Sequence, residues 1–383
     1  MTTSDADAPS RLAVTVLIAS FIALALYLAP AMVTVMINRL GFRPADPGYV
    51  ISAEMAGMGL ATFPALWWRS RIHWGRLACL MLVTIALGDA ASIAATTPAT
   101  LAAARFTTGL AQGTVSIICM SALRLTRDPN RSFGIWLFAE LSVGALALLG
   151  LPVLVSAAGI AGFYATLAVL ALLLAGLGLR IPSGHDRSAR ATAVTSAGAR
   201  SLWAGIAGLA GILGFYIGFS AIWTFTSQMA SPSVAPGTVA RALSIAPIGG
   251  MAGAALAGAI GTRFGSARPF AVAVAALAAA AGTLGLRPDW AAYQLASCGV
   301  LLGWTFGVPF LFGGVAHVDA SGRLTTAINI VIGAGLAAGP ALAALLVGSS
   351  GHYSGVVALA IGLSLASYLL AIPMLRADAR RPR

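Results

Sequence analysis

Lysine is absent from this sequence: all 23 of its basic residues are arginine. Without lysine there is no Gly-x-x-x-x-Gly-Lys loop to cradle a triphosphate, so ATP hydrolysis by the chain is not expected. Charge of either sign is scarce, at 9% of residues, against 59% hydrophobic residues and a mean hydropathy of +0.91. That leaves too little polar surface to cover a soluble globule of 383 residues, and implies a membrane protein. The net charge of +12 does not point to nucleic acid, because the arginines sit in short clusters between apolar runs rather than along one face. Cysteine is limited to Cys79, Cys119 and Cys298, each inside an apolar run, which excludes a disulfide framework and reads as small buried hydrophobes. The four histidines, His73, His185, His317 and His352, fall in arginine loops or at helix ends, and no two make a metal site. No nucleophile–base pair appears either, so neither catalysis nor a cofactor is expected.

Long apolar runs dominate what remains. A bilayer core of about 30 Å takes about 20 residues of helix at 1.5 Å each. Twelve stretches meet that length: 12–36, 48–68, 76–95, 98–120, 132–154, 159–181, 202–228, 237–260, 268–286, 290–315, 324–347 and 353–375. The run from Leu12 to Met36 is too long for a signal-peptide core and is expected to stay as the first span. With the N-terminus inside, 18 of the 23 arginines fall on the inner side, Arg39, Arg43, Arg241 and Arg287 lie outside, and Arg105 is alone in mid-span. The bias places both termini in the cytoplasm. Trp67, Trp68 and Trp74 then lie at the inner interface, where indoles belong. Pro30, Pro64, Pro309 and Pro340 are positioned to kink their helices. Glycine, at 44 residues, crowds the spans, notably at 205, 208, 211 and 214, as close helix packing in lipid requires.

The sequence is also written twice. Gly109 and Gly113 recur as Gly299 and Gly303, Asp128 and Arg131 as Asp319 and Arg323, and Arg71 and Arg76 as Arg263 and Arg268, all shifted by about half the chain. A near-constant offset predicts two tandem copies of one helical unit. The expected division is a tail at 1–11, a six-helix bundle at 12–181, a polar cytoplasmic linker at 182–201, a second bundle at 202–375 and a tail at 376–383.

Several short motifs carry a family resemblance. Gly258, Thr262, Arg263, Gly265 and Arg268 follow a Gly-x-x-x-Asp-Arg-x-Gly pattern with its trailing basic residue, and Arg69, Arg71, Gly75 and Arg76 are an eroded first copy. Thr262 and Trp68 stand at the acid position, so both copies depart from the pattern where the inner latch is usually made. Arg105, Gly109 and Gly113 fit Arg-x-x-x-Gly-x-x-x-Gly on the fourth stretch, and Gly333, Gly335, Gly339 and Pro340 form a glycine–proline run on the eleventh. Together these resemble the major facilitator superfamily, and in particular short bacterial efflux permeases. The resemblance implies an all-α integral membrane fold of twelve transmembrane helices in two parallel six-helix repeats. It further implies secondary active transport by alternating access in the cell inner membrane, monomeric function, and gating by Arg69, Arg71, Arg76, Arg263, Gly265 and Arg268.

Ionisable groups inside the bilayer ask for a reason. Asp89 and Arg105 lie at matched depth, about 10 Å below the outer surface by the helical rise, where they can form a structural ion pair. Alternatively, Arg105 faces the cavity and binds an anionic group or tunes a carboxylate. Glu54 and Glu140 have no sequence-local partner. Each is a candidate with Asp89 for proton coupling, since a buried carboxylate can load and release a proton near neutral pH. The rival reading for Glu54 is solvation at the headgroups, and for Glu140 a buried hydrogen bond between the fifth and eighth stretches. The family's cavity is lined by spans 1, 4, 7 and 10, and each carries a polar or aromatic stripe here. Those stripes nominate Tyr27, Arg105, Gln112, Tyr216, Trp223, Gln294 and Trp304 for substrate binding. The expected function is proton-coupled efflux of a small organic molecule. Uptake of an organic anion, or a transporter-like sensor or scaffold without turnover, stands as the alternative.

Overall fold

The computed structural model describes residues 9–68, 71–182, 199–261, 263–319, 323–348 and 351–378. The regular elements are α1 (Pro9–Tyr27), α2 (Ala29–Leu40), α3 (Asp46–Leu60), α4 (Thr62–Trp68), α5 (Trp74–Ala94), α6 (Pro98–Leu123), α7 (Pro129–Gly178), α8 (Ala199–Phe225), α9 (Pro236–Ile260), α10 (Ala267–Gly285), α11 (Trp290–Val318), α12 (Arg323–Val347) and α13 (Ser354–Asp378). No strand occurs among the described residues. Most of the expected linker and parts of both tails lie outside them. The chain divides into two compact units, Met1–Phe42 with Tyr49–Ala189, and Arg43–Gly48 with Arg190–Arg383.

Among the described residues, ten helices are long and apolar enough to cross a membrane, against twelve expected stretches. The difference has two local causes. The fifth and sixth stretches run together as α7, a 50-residue element interrupted only at Gly159, whose φ of 67° and ψ of −172° break the helical path. A left-handed φ suits glycine because it has no Cβ to clash. The second stretch is divided into α3 and α4, each too short to count by itself. That division falls at Ala61, three residues before Pro64, and the α1/α2 division falls at Leu28, two residues before Pro30. A proline ring removes one hydrogen bond and crowds the carbonyl four residues back, so both interruptions follow from the sequence.

In the first unit, α1 packs on α6 and α7, and α5 packs on the same two helices. The approach of α3 to α6 depends on glycine. A Cβ on Gly109 would collide with the Glu54 carbonyl, one on Gly113 with that of Met58, and one on Gly57 with that of Phe106. Small residues thus let two backbones touch where apolar burial drives little association. Gly109→Ala is expected to lower stability by about 1–3 kcal/mol through overpacking. Gly134→Ala, at a helical position with open space around it, is expected to keep stability or raise it by up to about 1 kcal/mol. Thermal unfolding of the two purified variants checks the contrast, and an unshifted midpoint for Gly109→Ala would contradict the close approach.

In the second unit, α8 packs between α12 and α13. Gly335 and Gly339 meet α8 at Tyr216 and Ser220, while Gly211 and Gly218 meet α13 at Ser367 and Ala360. Ser220 Oγ donates to the Gly335 carbonyl at 3.1 Å. Helix α9 lies against α11, with Gly249 on Cys298 and Thr305 Oγ1 donating to the Gly250 carbonyl at 2.8 Å. Of the glycines singled out for packing, those at 205, 208, 211 and 214 sit at contacts with α12 and α13, and the nearby core is aromatic, with Phe215, Phe219, Trp223, Phe225, Phe270 and Tyr293 fully buried.

Candidate functional site

Both glutamates of the chain are buried, and both lie in the first unit. The arrangement starts at the N-terminus of α6. Thr97 and Thr100 form a reciprocal capping box, with Pro98 in the first turn, and this fixes where the helix begins. Arg105 then lies about 12 Å along the axis from the cap. Its Nε donates to Glu54 Oε2 at 3.1 Å, its Nη2 bonds Glu54 Oε1, and its Nη1 reaches Asp89 Oδ1 at 2.5 Å. Three helices thus meet at one guanidinium: α3 brings Glu54, α5 brings Asp89 and α6 brings Arg105. All three side chains are buried, at 8%, 1% and 4% exposure. The guanidinium also sits over the Tyr164 ring of α7, 5.4 Å from its centroid.

The expected pairing of Asp89 with Arg105 is present. The reading of Glu54 as a headgroup-solvated or partnerless carboxylate is corrected, since it takes two of the donors of Arg105 in a forked pair. The glycine contact of α3 with α6 explains why, because it presses the Glu54 backbone onto Gly109, one turn from Arg105. Depth held a readable signal: Glu54, Asp89 and Arg105 each lie some six or seven residues from one end of their expected stretch. Tyr164 escaped notice because it lies on the sixth stretch, outside the four expected cavity spans. Its signal was its position next to Phe163, the two together being the aromatic residues of an otherwise aliphatic stretch.

A cavity of about 40 Å³ opens beside the cluster, lined by Glu54, Asp89, Arg105, Gln112 and Tyr164, with Phe21, Leu24, Met32, Met36 and Phe163 among its apolar walls. Gln112 lies two turns beyond Arg105 on α6, and its Oε1 is buried without a hydrogen-bond partner among the described residues. Of the nominated binding residues, Arg105 and Gln112 line this cavity. Tyr27 does not: it is fully buried, and its hydroxyl donates to Glu140 Oε1 at 3.1 Å. Glu140 therefore bonds α1, a partner that sequence reasoning did not assign to it. Its Oε2 is buried with no partner among the described residues.

In the second unit, Trp304 stacks on Phe219 at 4.3 Å with a 5° interplanar angle, and meets Tyr216 edge-on at 6.2 Å. These form one aromatic group, to which sequence reasoning did not assign Phe219. Trp223 is fully buried in the core. Gln294 is engaged with protein: its Nε2 donates to the Ala242 carbonyl at 3.1 Å and lies 3.4 Å from Cys298 Sγ, joining α11 to α9. Of the nominated gating residues, Arg69 lies outside the described residues, as does Thr262. Arg71 covers the Trp67 ring at 5.0 Å, Arg76, Arg263 and Arg268 are exposed, and Gly265 takes a φ of 67° in its turn.

No protein-family model matches the sequence, and no curated protein does so either. Solved structures match it over nearly all of its length. The nucleoside transporter NupG aligns with a TM-score of 0.70 at 14% identity, over 96% of this chain and 99% of that one. The POT family transporter PepTSo gives 0.71 at 12%, over 97% and 99%. A bacterial homologue of the human drug peptide transporters gives 0.70 at 13%, over 98% of each chain. Across that span the chain has the fold of these membrane transporters, which is the major facilitator fold.

Proposed function

We propose that the chain is a proton-coupled secondary transporter exporting a small organic molecule by alternating access, with twelve spans in two parallel six-helix repeats. The reading places it in the cell inner membrane as a monomer with both termini cytoplasmic. One observation carries the coupling: the buried cluster holds two carboxylates and one guanidinium beside a cavity. A structural ion pair is least costly when its charges match. Here one acid is in excess, and inside a bilayer that excess is costly until a proton or another cation neutralises it. A group that must be neutralised, and that borders a cavity, is where a proton can be exchanged. Proton dependence in solved oligopeptide transporters of the same fold supports the reading. Glu140, bonded to Tyr27 and buried, is the second proposed carrier of a proton.

Uptake of an organic anion on Arg105 is the second reading, and it requires the anion to displace Glu54 or Asp89 from the guanidinium. The test is flux into proteoliposomes under an imposed pH gradient, with pooled amines, organic acids and sugars as substrates. Gradient-driven accumulation of one pool, accompanied by proton movement, is the expected result. Ligand binding without flux in any pool would replace transport by a sensing role.

A further inference from the structure

We propose that the cavity beside Glu54, Asp89 and Arg105 binds the protonated nitrogen of a small primary or secondary amine, with Gln112 accepting one of its N–H groups. This names the substrate class of the transporter proposed above and rests on that reading for its biological role.

Four observations converge. The charge count comes first: two carboxylates and one guanidinium leave a single negative charge in excess, which selects a monocation and repels an anion. Second, Gln112 is 6% exposed, lines the cavity, and holds a buried Oε1 with no partner among the described residues. A buried acceptor left unmatched is costly, and rotation of the Gln112 amide toward the cavity lets a ligand N–H supply the missing bond. Third, Phe21, Phe163 and Tyr164 bring aromatic rings to the walls, and Leu24 and Met32 add apolar surface. Such walls suit an ammonium group with an apolar body. The fourth is size: the cavity measures about 40 Å³, against the roughly 10–15 Å³ one water requires. It admits a group of a few heavy atoms, the ammonium head and its first carbons.

The same features argue against other occupants. A hard metal cation takes about six oxygen ligands, whereas both oxygens of Glu54 are committed to Arg105. A quaternary ammonium of equal charge carries no N–H, so it leaves Gln112 Oε1 unmatched. The site is therefore expected to separate amines by their hydrogens as well as by their charge.

The test is isothermal titration of the purified full-length protein in nanodiscs, at fixed pH and ionic strength, with n-butylammonium, n-butyltrimethylammonium and butyrate. Butylammonium is expected to bind about three- to tenfold more tightly than its trimethylated form, the worth of one hydrogen bond, and butyrate is expected not to bind. Gln112→Leu should remove the difference between the two cations while keeping the preference for cations over butyrate. Equal affinity of both cations for the unmodified protein, preference for butyrate, or absence of butylammonium binding would each overturn the proposal, whatever the variant does. The proteoliposome assay separates this from the transport reading. Gradient-driven flux of another substrate pool without amine binding sinks the amine site alone, whereas amine binding with no flux in any pool leaves the site and removes the transporter.

Discussion

Arg105→Ala is expected to lower the stability of the protein by about 3–5 kcal/mol, the range found when one partner of a buried ion pair is deleted. The argument rests on what remains behind. Glu54 and Asp89 are buried, on different helices, and Arg105 is the cation that bonds both. Without it, two carboxylates face each other in a low-dielectric site and must each take up a proton. The companion variant carries Arg105→Met with Glu54→Gln and Asp89→Asn. It is expected to recover most of the lost stability, because replacing a whole buried charge group by neutral residues is often neutral or stabilising. Its coupled flux should nevertheless be absent. Unfolding midpoints and proteoliposome flux on the same preparations check both halves. A triple variant that is stable and still couples flux to the pH gradient would show that the cluster holds helices together and does nothing more.

Glu140→Gln is expected to abolish pH-driven flux while leaving insertion and folding intact. Glutamine keeps the shape of glutamate and an oxygen that can accept from the Tyr27 hydroxyl, so the contact of α1 with α7 survives. Only the capacity to gain and lose a proton is removed. Tyr27→Phe is the complement, since it deletes the hydrogen bond, worth about 0.5–1.5 kcal/mol, and keeps the carboxyl. Normal coupled flux in Glu140→Gln would take Glu140 out of the scheme and leave it as the partner of Tyr27 in the helix contact.

Much of the architecture was legible because a bilayer constrains a sequence strongly. Apolar length located the spans, and the prolines at 30 and 64 marked where helices are interrupted. The pairing of Asp89 with Arg105 could be read from depth, because these residues lie on consecutive helices and share a level. Contacts between helices distant in sequence were another matter. Glu54 reaches Arg105 across 51 positions and Tyr27 reaches Glu140 across 113. Such meetings depend on which face each helix turns to its neighbours. The hydrophobic pattern says little about that in a membrane protein, where the lipid-facing side is as apolar as the core. The glycines at 57, 109 and 113 held the missing information, since the row at 109 and 113 on α6 identifies the face that α3 touches, and Gly57 marks the α3 face that meets it. Gln294 shows the opposite error, for a polar residue at helical spacing on an expected cavity helix bonds a neighbouring backbone instead.

The interruption at Gly159 has a mechanical side. One stretch of α7 carries Glu140 and, a turn later, Gly144, whose position against the Tyr27 ring leaves no room for a side chain. The other stretch carries Phe163 and Tyr164, which border the cavity. A single residue joins them, with no slack of loop between. Tyr164 and Glu140 therefore lie on opposite sides of one glycine, five residues after it and nineteen before it. Two chemically separate sites, the charged cluster and the Tyr27–Glu140 contact, thus each touch one of the two stretches that meet at that glycine.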